Sequence, residues 1–137
     1  MLLTNGKKRI PIGYEDFKQL IDSGFYYVDK SMLIYELLHS GGQNNLITRP
    51  RRFGKTIMAN MIAAFLSKKV DSDSIFSRLK ITSNLKYKEY RNKYNVISND
   101  FSKISRSCDS YADYIGKIEI TLIRDLKKEY PQIEVYE

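Results

Sequence analysis

Eight consecutive residues combine the side-chain types that bind phosphate: Arg49-Pro50-Arg51-Arg52-Phe53-Gly54-Lys55-Thr56. A short apolar run, residues 46–48, precedes them, and an amphipathic segment, residues 57–68, follows. A strand, a tight loop ending in Gly-Lys-Thr and a helix form an arrangement in which backbone N–H groups and a helix N-terminus face a phosphate anion. In that arrangement the lysine neutralises the outer phosphates and the hydroxyl binds magnesium. These residues therefore predict a site for ATP, or another nucleoside triphosphate, together with Mg²⁺.

Four residues of this segment have individual predicted roles. The ammonium of Lys55 lies at a helix start, where the helix dipole favours anions over cations, so a phosphate partner is a better explanation than a surface lysine. Thr56 is the expected Mg²⁺ ligand; the alternative is a hydroxyl that bonds to the helix backbone. Gly54 lets the backbone approach the phosphate, and Pro50 stiffens the turn.

The three arginines leave several interpretations open. The general pattern G-x-x-x-x-G-K-[ST] places its first glycine where this chain has Arg49. Arg49, Arg51 and Arg52 can add charge beside the triphosphate, because a guanidinium pairs bidentately with phosphate oxygens. They can also contact nucleic acid or an acidic partner, or form a solvated basic loop.

Composition excludes several classes of protein. The chain has 137 residues, 42% of them hydrophobic, which suits one modest folded domain. A single cysteine, Cys108, excludes an internal disulfide, and the single histidine, His39, makes a histidine-centred metal site unattractive. Neither a signal-peptide core nor an apolar run of membrane-spanning length is visible, so we expect a cytoplasmic protein without membrane contact.

The net charge of +7 attracts polyanions in general. Basic residues recur between positions 78 and 93, with tyrosines at 87, 90 and 94. This pattern favours either a solvated face or a basic nucleic-acid-binding module, although no helix-turn-helix, zinc or OB-like pattern accompanies it.

Apolar spacing predicts an alternation of helices and strands. Helices are expected over residues 14–23, from a cap at Asp29 or Ser31 to His39, over 57–68, over 75–79 and from about 111 to 126. Strands or extended segments are expected over residues 25–28, 45–48, 94–98 and 133–136. The expected fold class is therefore α/β: a partial P-loop NTPase-like parallel sheet flanked by helices, preceded by a short helical N-terminal segment.

With these elements in place, the chain resembles the AAA-ATPase-like P-loop family found in many bacteria. Four segments carry the resemblance: Ile10-Pro11-Ile12-Gly13, Tyr26-Tyr27-Val28-Asp29-Lys30-Ser31, residues 49–56, and Ile75-Phe76-Ser77-Arg78-Leu79-Lys80-Ile81. Members of that family commonly carry arginine in place of the first glycine. The resemblance covers roughly residues 10–105. It implies that Asp29 and Lys30 pack against the nucleotide or its base; a helix cap plus a surface charge is the alternative.

The chain also departs from that family. Intact members continue through an apolar strand that ends in consecutive acidic residues, the Walker B motif, and many carry a nuclease-like C-terminal domain. No such strand is visible here, so we expect residues 1–137 to be a single, truncated domain with weak or absent ATP hydrolysis. The alternatives are the nucleic-acid-binding module and a non-catalytic interaction or remnant domain that self-associates through an exposed sheet edge.

Overall fold

The computed structural model describes residues 8–101 and 108–134, which form helices joined by irregular segments. The helices are α1 (Phe17–Asp22), α2 (Met32–His39), α3 (Lys55–Leu66), α4 (Asp73–Phe76), α5 (Tyr87–Tyr90) and α6 (Tyr111–Glu129), and a 3₁₀ turn (Lys80–Ser83) lies between α4 and α5. The chain divides into two compact units, Met1–Ile97 and Ser98–Glu137.

The first unit is built around aromatic side chains from three helices. Phe76 of α4 lies between Phe17 of α1, at 5.5 Å between ring centroids, and Phe65 of α3, at 5.3 Å. All three rings are almost completely buried. The apolar stripe of α3, which includes Met61 and Phe65, faces this core, as the helical spacing predicts. Other members of the cluster are Ile34, Ile75, Leu79 and Ile81.

Four of the predicted helices are confirmed with shifted boundaries, whereas the segment predicted over residues 75–79 overlaps α4 only at Ile75 and Phe76. α1 is shorter than predicted because Asp16 caps it: one oxygen of its carboxylate accepts a hydrogen bond from the Gln19 N–H at 2.8 Å. α3 begins two residues earlier than predicted, at Lys55. The cap expected before α2 is present in part, since Ser31 precedes that helix without a side-chain cap bond.

The predicted parallel sheet is wrong for the part of the chain that the structure describes. Residues 25–28, 45–48 and 94–98 form no β-strand; the one bridge is parallel and joins Ser67 to Tyr94. A strand is stabilised by hydrogen bonds to a neighbouring strand, and these segments have no such neighbour. Leu46, expected inside the sheet, is 89% exposed.

Two further sequence predictions depend on that sheet. Among residues 8–101 and 108–134 no sheet edge exists through which the chain could self-associate, so association itself stays a prediction. Of the strand predicted over residues 133–136, Ile133 and Glu134 are irregular, and the other two residues lie outside the described ranges.

Asn92 secures the C-terminal end of α3. Its backbone N–H donates to the carbonyl of Phe65 at 2.8 Å. Its side-chain amide donates to the carbonyls of Ser67, at 2.5 Å, and Val70, and its oxygen accepts from the hydroxyl of Ser72 at 2.9 Å. These bonds satisfy carbonyls and a buried hydroxyl that would otherwise lack partners where the helix ends. Asn92 adopts a left-handed conformation, φ 55°, which asparagine tolerates better than most residues.

The second unit contains α6, a helix of 19 residues. The hydroxyl of Ser110 caps it by accepting from the Asp113 N–H at 3.1 Å, and Lys117 pairs with Asp113 at 3.0 Å along its first turns. Lys127 and Lys128 lie in the last turn, where cations stabilise the helix dipole. In the described ranges, no helix combines the length and apolarity that crossing a bilayer requires.

Candidate functional site

The candidate site is the loop of residues 49–56, which ends in the first turn of α3. Gly54 is the N-cap of this helix and has a left-handed backbone, φ 76° and ψ 23°. A side chain is rarely tolerated in that conformation, which explains the glycine at this position. The carbonyl of Gly54 accepts the N–H of Met58 at 2.9 Å, the bond that closes the first turn.

The start of α3 favours an anion. The N–H groups of a first helical turn have no partner inside the helix, and they give the N-terminus a partial positive charge. Gly54 has no side chain with which to cap them, and the first turn contains no acidic residue. Four cationic side chains crowd the same place, namely Arg49, Arg51, Arg52 and Lys55. Such a concentration of positive charge is unfavourable by itself and is relieved by a bound anion.

Lys55 lies across the loop and closes it. Its ammonium donates to the carbonyl of Arg49 at 2.6 Å and to the carbonyl of Pro50 at 3.0 Å. The lysine therefore holds the two ends of the loop together from the first residue of α3. This contact was not predicted, because sequence spacing shows which residues share a loop but not which carbonyls a flexible side chain reaches.

The remaining predicted site residues lie on the surface of the same loop. Arg49, Arg51, Arg52 and Thr56 are exposed. Within residues 8–101 and 108–134, the three arginines form no ion pair. Arg52 also has a left-handed backbone, φ 68°, an uncommon conformation for a residue with a side chain. The structure thus brings all eight residues into one cationic loop.

An open cavity of about 500 Å³ adjoins this loop. One side is formed by Ile47 and Arg49 together with Phe53 and Met58. The other side comes from residues 30–36, at the start of α2. Apolar spacing did not indicate the cavity, which is a consequence of tertiary packing. The resemblance implied that Asp29 and Lys30 pack against the nucleotide or its base, and Lys30 lines this cavity.

Asp29 and Ser31 join the start of α2 to the 3₁₀ turn about fifty residues later. The carboxylate of Asp29 accepts from the Ser31 N–H at 2.8 Å and from the Lys80 N–H at 2.7 Å. The buried hydroxyl of Ser31 accepts from the Ile81 N–H at 3.1 Å. These contacts give Asp29 a structural role, because its carboxylate joins two segments that the sequence singled out separately; packing of Asp29 and Lys30 against a nucleotide stays a prediction.

Metal-binding side chains do not cluster in the described ranges. No group of three or more histidine, cysteine, aspartate or glutamate side chains is arranged to hold a metal ion there. Thr56 stays the predicted Mg²⁺ ligand, acting together with the phosphates of a bound nucleotide.

Comparison with known proteins places the chain in a family. The family model described as Predicted AAA-ATPase matches residues 11–135. The chain belongs to this AAA-ATPase-like family. Membership confirms the resemblance and extends it beyond the range of about 10–105 on which it rested. The family description concerns ATPases and therefore points to nucleotide use at a coarse level.

A curated relative of this AAA-ATPase-like chain covers a smaller part of it. The uncharacterized protein in the vnfD 5′ region of Azotobacter chroococcum mcd 1 is 34% identical over 58 residues. The match spans 42% of the chain described here and 11% of that relative. No solved structure gives a significant match.

Some residues of the basic stretch, residues 78–93, make contacts within the AAA-ATPase-like chain. Arg91 pairs with Asp73, and its guanidinium carbon lies 5.1 Å from the ring centre of Tyr87. Tyr87 and Tyr90 pack against the core of the first unit. These contacts account for Arg91, Tyr87 and Tyr90, whereas the other basic residues of the stretch are exposed, so nucleic-acid binding stays a prediction.

Stability at low pH is expected to depend on Asp29. Burial raises the pKa of its carboxyl, but the hydrogen bonds from Ser31 and from the Lys80 backbone outweigh that effect and lower the pKa overall. A pKa below the unfolded value, about 3.9, means that the carboxylate stabilises the fold above that pH and loses its contribution as the pH falls through the folded pKa.

The free energy of unfolding of wild type and Asp29→Asn, measured by urea titration at pH 6 and at pH 3, tests this expectation. The advantage of wild type should be present at pH 6 and should shrink at pH 3. An advantage that is equal at both pH values would show that ionisation of Asp29 does not contribute.

Proposed function

We propose that residues 49–56 bind ATP as its magnesium complex. The observation that carries the proposal is the start of α3: a left-handed Gly54 as N-cap, no acidic residue in the first turn, and four cationic side chains on the same loop. A helix N-terminus in this state attracts phosphate through its N–H groups and its dipole. Membership of a family described as ATPases agrees with that chemistry.

Lys55 supplies a positive charge that can change its hydrogen-bond partners when a phosphate binds. Its ammonium donates hydrogen bonds to the carbonyls of Arg49 and Pro50. Phosphate oxygens are stronger acceptors than these carbonyls because they carry negative charge. Binding of the triphosphate therefore exchanges neutral carbonyl partners for anionic ones. The exposed arginines need no such exchange, since no carboxylate in the described ranges holds them.

Magnesium fits the site as part of the nucleotide complex. The hydroxyl of Thr56 lies exposed in the first turn of α3, next to Lys55, and would hold the ion together with phosphate oxygens. The bound ion would neutralise phosphate charge. The proposal concerns nucleotide binding by these residues.

Calorimetric titration of Mg-ATP into wild type, Lys55→Ala and Lys68→Ala tests the proposal. Lys68 is exposed near the opposite end of α3, so its replacement removes the same charge without touching the loop. We expect wild type and Lys68→Ala to bind alike and Lys55→Ala to bind at least about tenfold more weakly, because a charge-assisted hydrogen bond contributes about 1.5–3 kcal/mol.

Equal weakening by both substitutions would reduce the effect to general electrostatic attraction. Absence of binding to wild type that circular dichroism shows to be folded would contradict the proposal. Normal binding by Lys55→Ala would show that the nucleotide binds elsewhere.

A further inference from the structure

The cavity beside the loop has a composition that suits a planar, largely apolar ligand. Apolar side chains form most of its wall, namely Met32, Leu33, Ile47, Phe53 and Met58. Met58 is buried, whereas 58% of the surface of Phe53 is exposed. An exposed phenylalanine at the mouth of an apolar cavity offers a ring face on which another flat ring can stack.

The polar groups of the cavity are few and of both signs. Lys30 and Glu36 come from the α2 side, and Arg49 comes from the loop. Glu36 is the acidic residue among the lining side chains. An ionised carboxylate only accepts hydrogen bonds, so it suits a ligand edge that carries N–H groups. Small-molecule sites commonly combine apolar walls with a few such polar groups.

Two residues belong to both the cavity and the cationic loop. Arg49 and Phe53 lie within residues 49–56 and also line the cavity. A ligand whose anionic end occupies the start of α3 therefore has a cavity of about 500 Å³ next to its other end. That volume lies within the 300–1,000 Å³ typical of small-molecule sites.

We propose that this cavity holds the purine base of the nucleotide whose phosphates bind to residues 49–56. The inference rests on the proposed function and adds to it the site of base recognition. The base packs against the apolar wall and stacks on Phe53, and Glu36 accepts a hydrogen bond from the amino group of adenine. Without the cavity, the loop would bind any triphosphate equally, whether or not it carried a base.

The experiment compares two probes, of which only one carries a nucleoside. The magnesium complexes of ATP and of inorganic tripolyphosphate are titrated calorimetrically into wild type, Phe53→Ala, Ile47→Ala and Glu36→Ala. The control variant is Leu85→Ala, which removes a fully exposed apolar side chain outside the cavity. The readout is the ratio of the two dissociation constants for each variant, so a general change in charge or loop stability cancels.

We expect wild type and Leu85→Ala to prefer ATP over tripolyphosphate by about tenfold or more, since stacking of one base on an aromatic side chain gives a factor of this order. The three cavity variants should lower that ratio by weakening ATP while leaving tripolyphosphate almost unchanged. Glu36→Ala is informative because loss of its negative charge favours both anions, whereas loss of the hydrogen-bond acceptor affects ATP alone.

The two proposals fail in different ways. Equal affinity of wild type for both probes, or a ratio that the cavity variants leave unchanged, would overturn base recognition and leave phosphate binding intact. Failure of folded wild type to bind either probe would overturn both proposals.

Discussion

Replacement of Phe76 by alanine is expected to lower the free energy of unfolding by about 3–5 kcal/mol. The side chain is fully buried, and its ring contacts the rings of Phe17 and Phe65. Truncation removes the apolar contact area and leaves a cavity among three elements that cannot all move inward. Domains have a total stability of about 5–15 kcal/mol, so this change removes a large share of it.

Chemical denaturation of the full chain, followed by circular dichroism, measures the loss. Phe53→Ala is the matched control, because it deletes the same atoms from a ring that is 58% exposed, and its effect should be less than about 1 kcal/mol. A similar loss for both variants would contradict the packing described for Phe76. The control also establishes that Phe53→Ala is folded when it is used in ligand titrations.

Replacement of Asn92 by alanine is expected to cost about 2–4 kcal/mol of folding free energy. The substitution leaves the carbonyls of Ser67 and Val70 and the buried hydroxyl of Ser72 without the amide that satisfies them. A buried polar group without a partner costs about 1–3 kcal/mol. Alanine also has to adopt the left-handed conformation, which costs about 1 kcal/mol more.

Two further substitutions separate these contributions. Asn92→Gly removes the same hydrogen bonds but tolerates the backbone, so it should be more stable than Asn92→Ala by about 1 kcal/mol. Asn92→Asp keeps an acceptor for Ser72 but replaces the donor to the two carbonyls by a carboxylate oxygen that repels them. Thermal and chemical unfolding of the three variants measure the order. If all three matched wild type, Asn92 would have no role in closing α3.

The helices were predictable because their apolar residues repeat along a single element. The buried stripe of α3, with Met58, Met61 and Phe65, follows from helical spacing alone. The cap of α6 at Ser110 lies one residue before the predicted start. The loop of residues 49–56 was predictable as a group for the same reason: its residues are neighbours in the sequence.

The sheet was not predictable in the same way. An apolar run such as residues 46–48 is compatible with a strand, but a strand exists only if another segment pairs with it, and spacing within one segment cannot show that. The bonds of Asp29 to Lys80 and of Ser31 to Ile81 join residues about fifty positions apart, so nothing local indicates them. Asn92 was missed because a lone asparagine has no periodic signal.

The position of α3 between two sets of contacts has a mechanical consequence. At one end the helix begins inside the cationic loop; at the other, the N–H groups of Asn92 and Tyr94 donate to Phe65 and Leu66. A helix of twelve residues is about 18 Å long and resists bending, so it behaves as a rigid element. The helix therefore keeps the loop and residues 92–94 at a nearly constant separation. Hydrogen exchange of the amide protons of Asn92 and Tyr94 measures how often the C-terminal end of this helix opens.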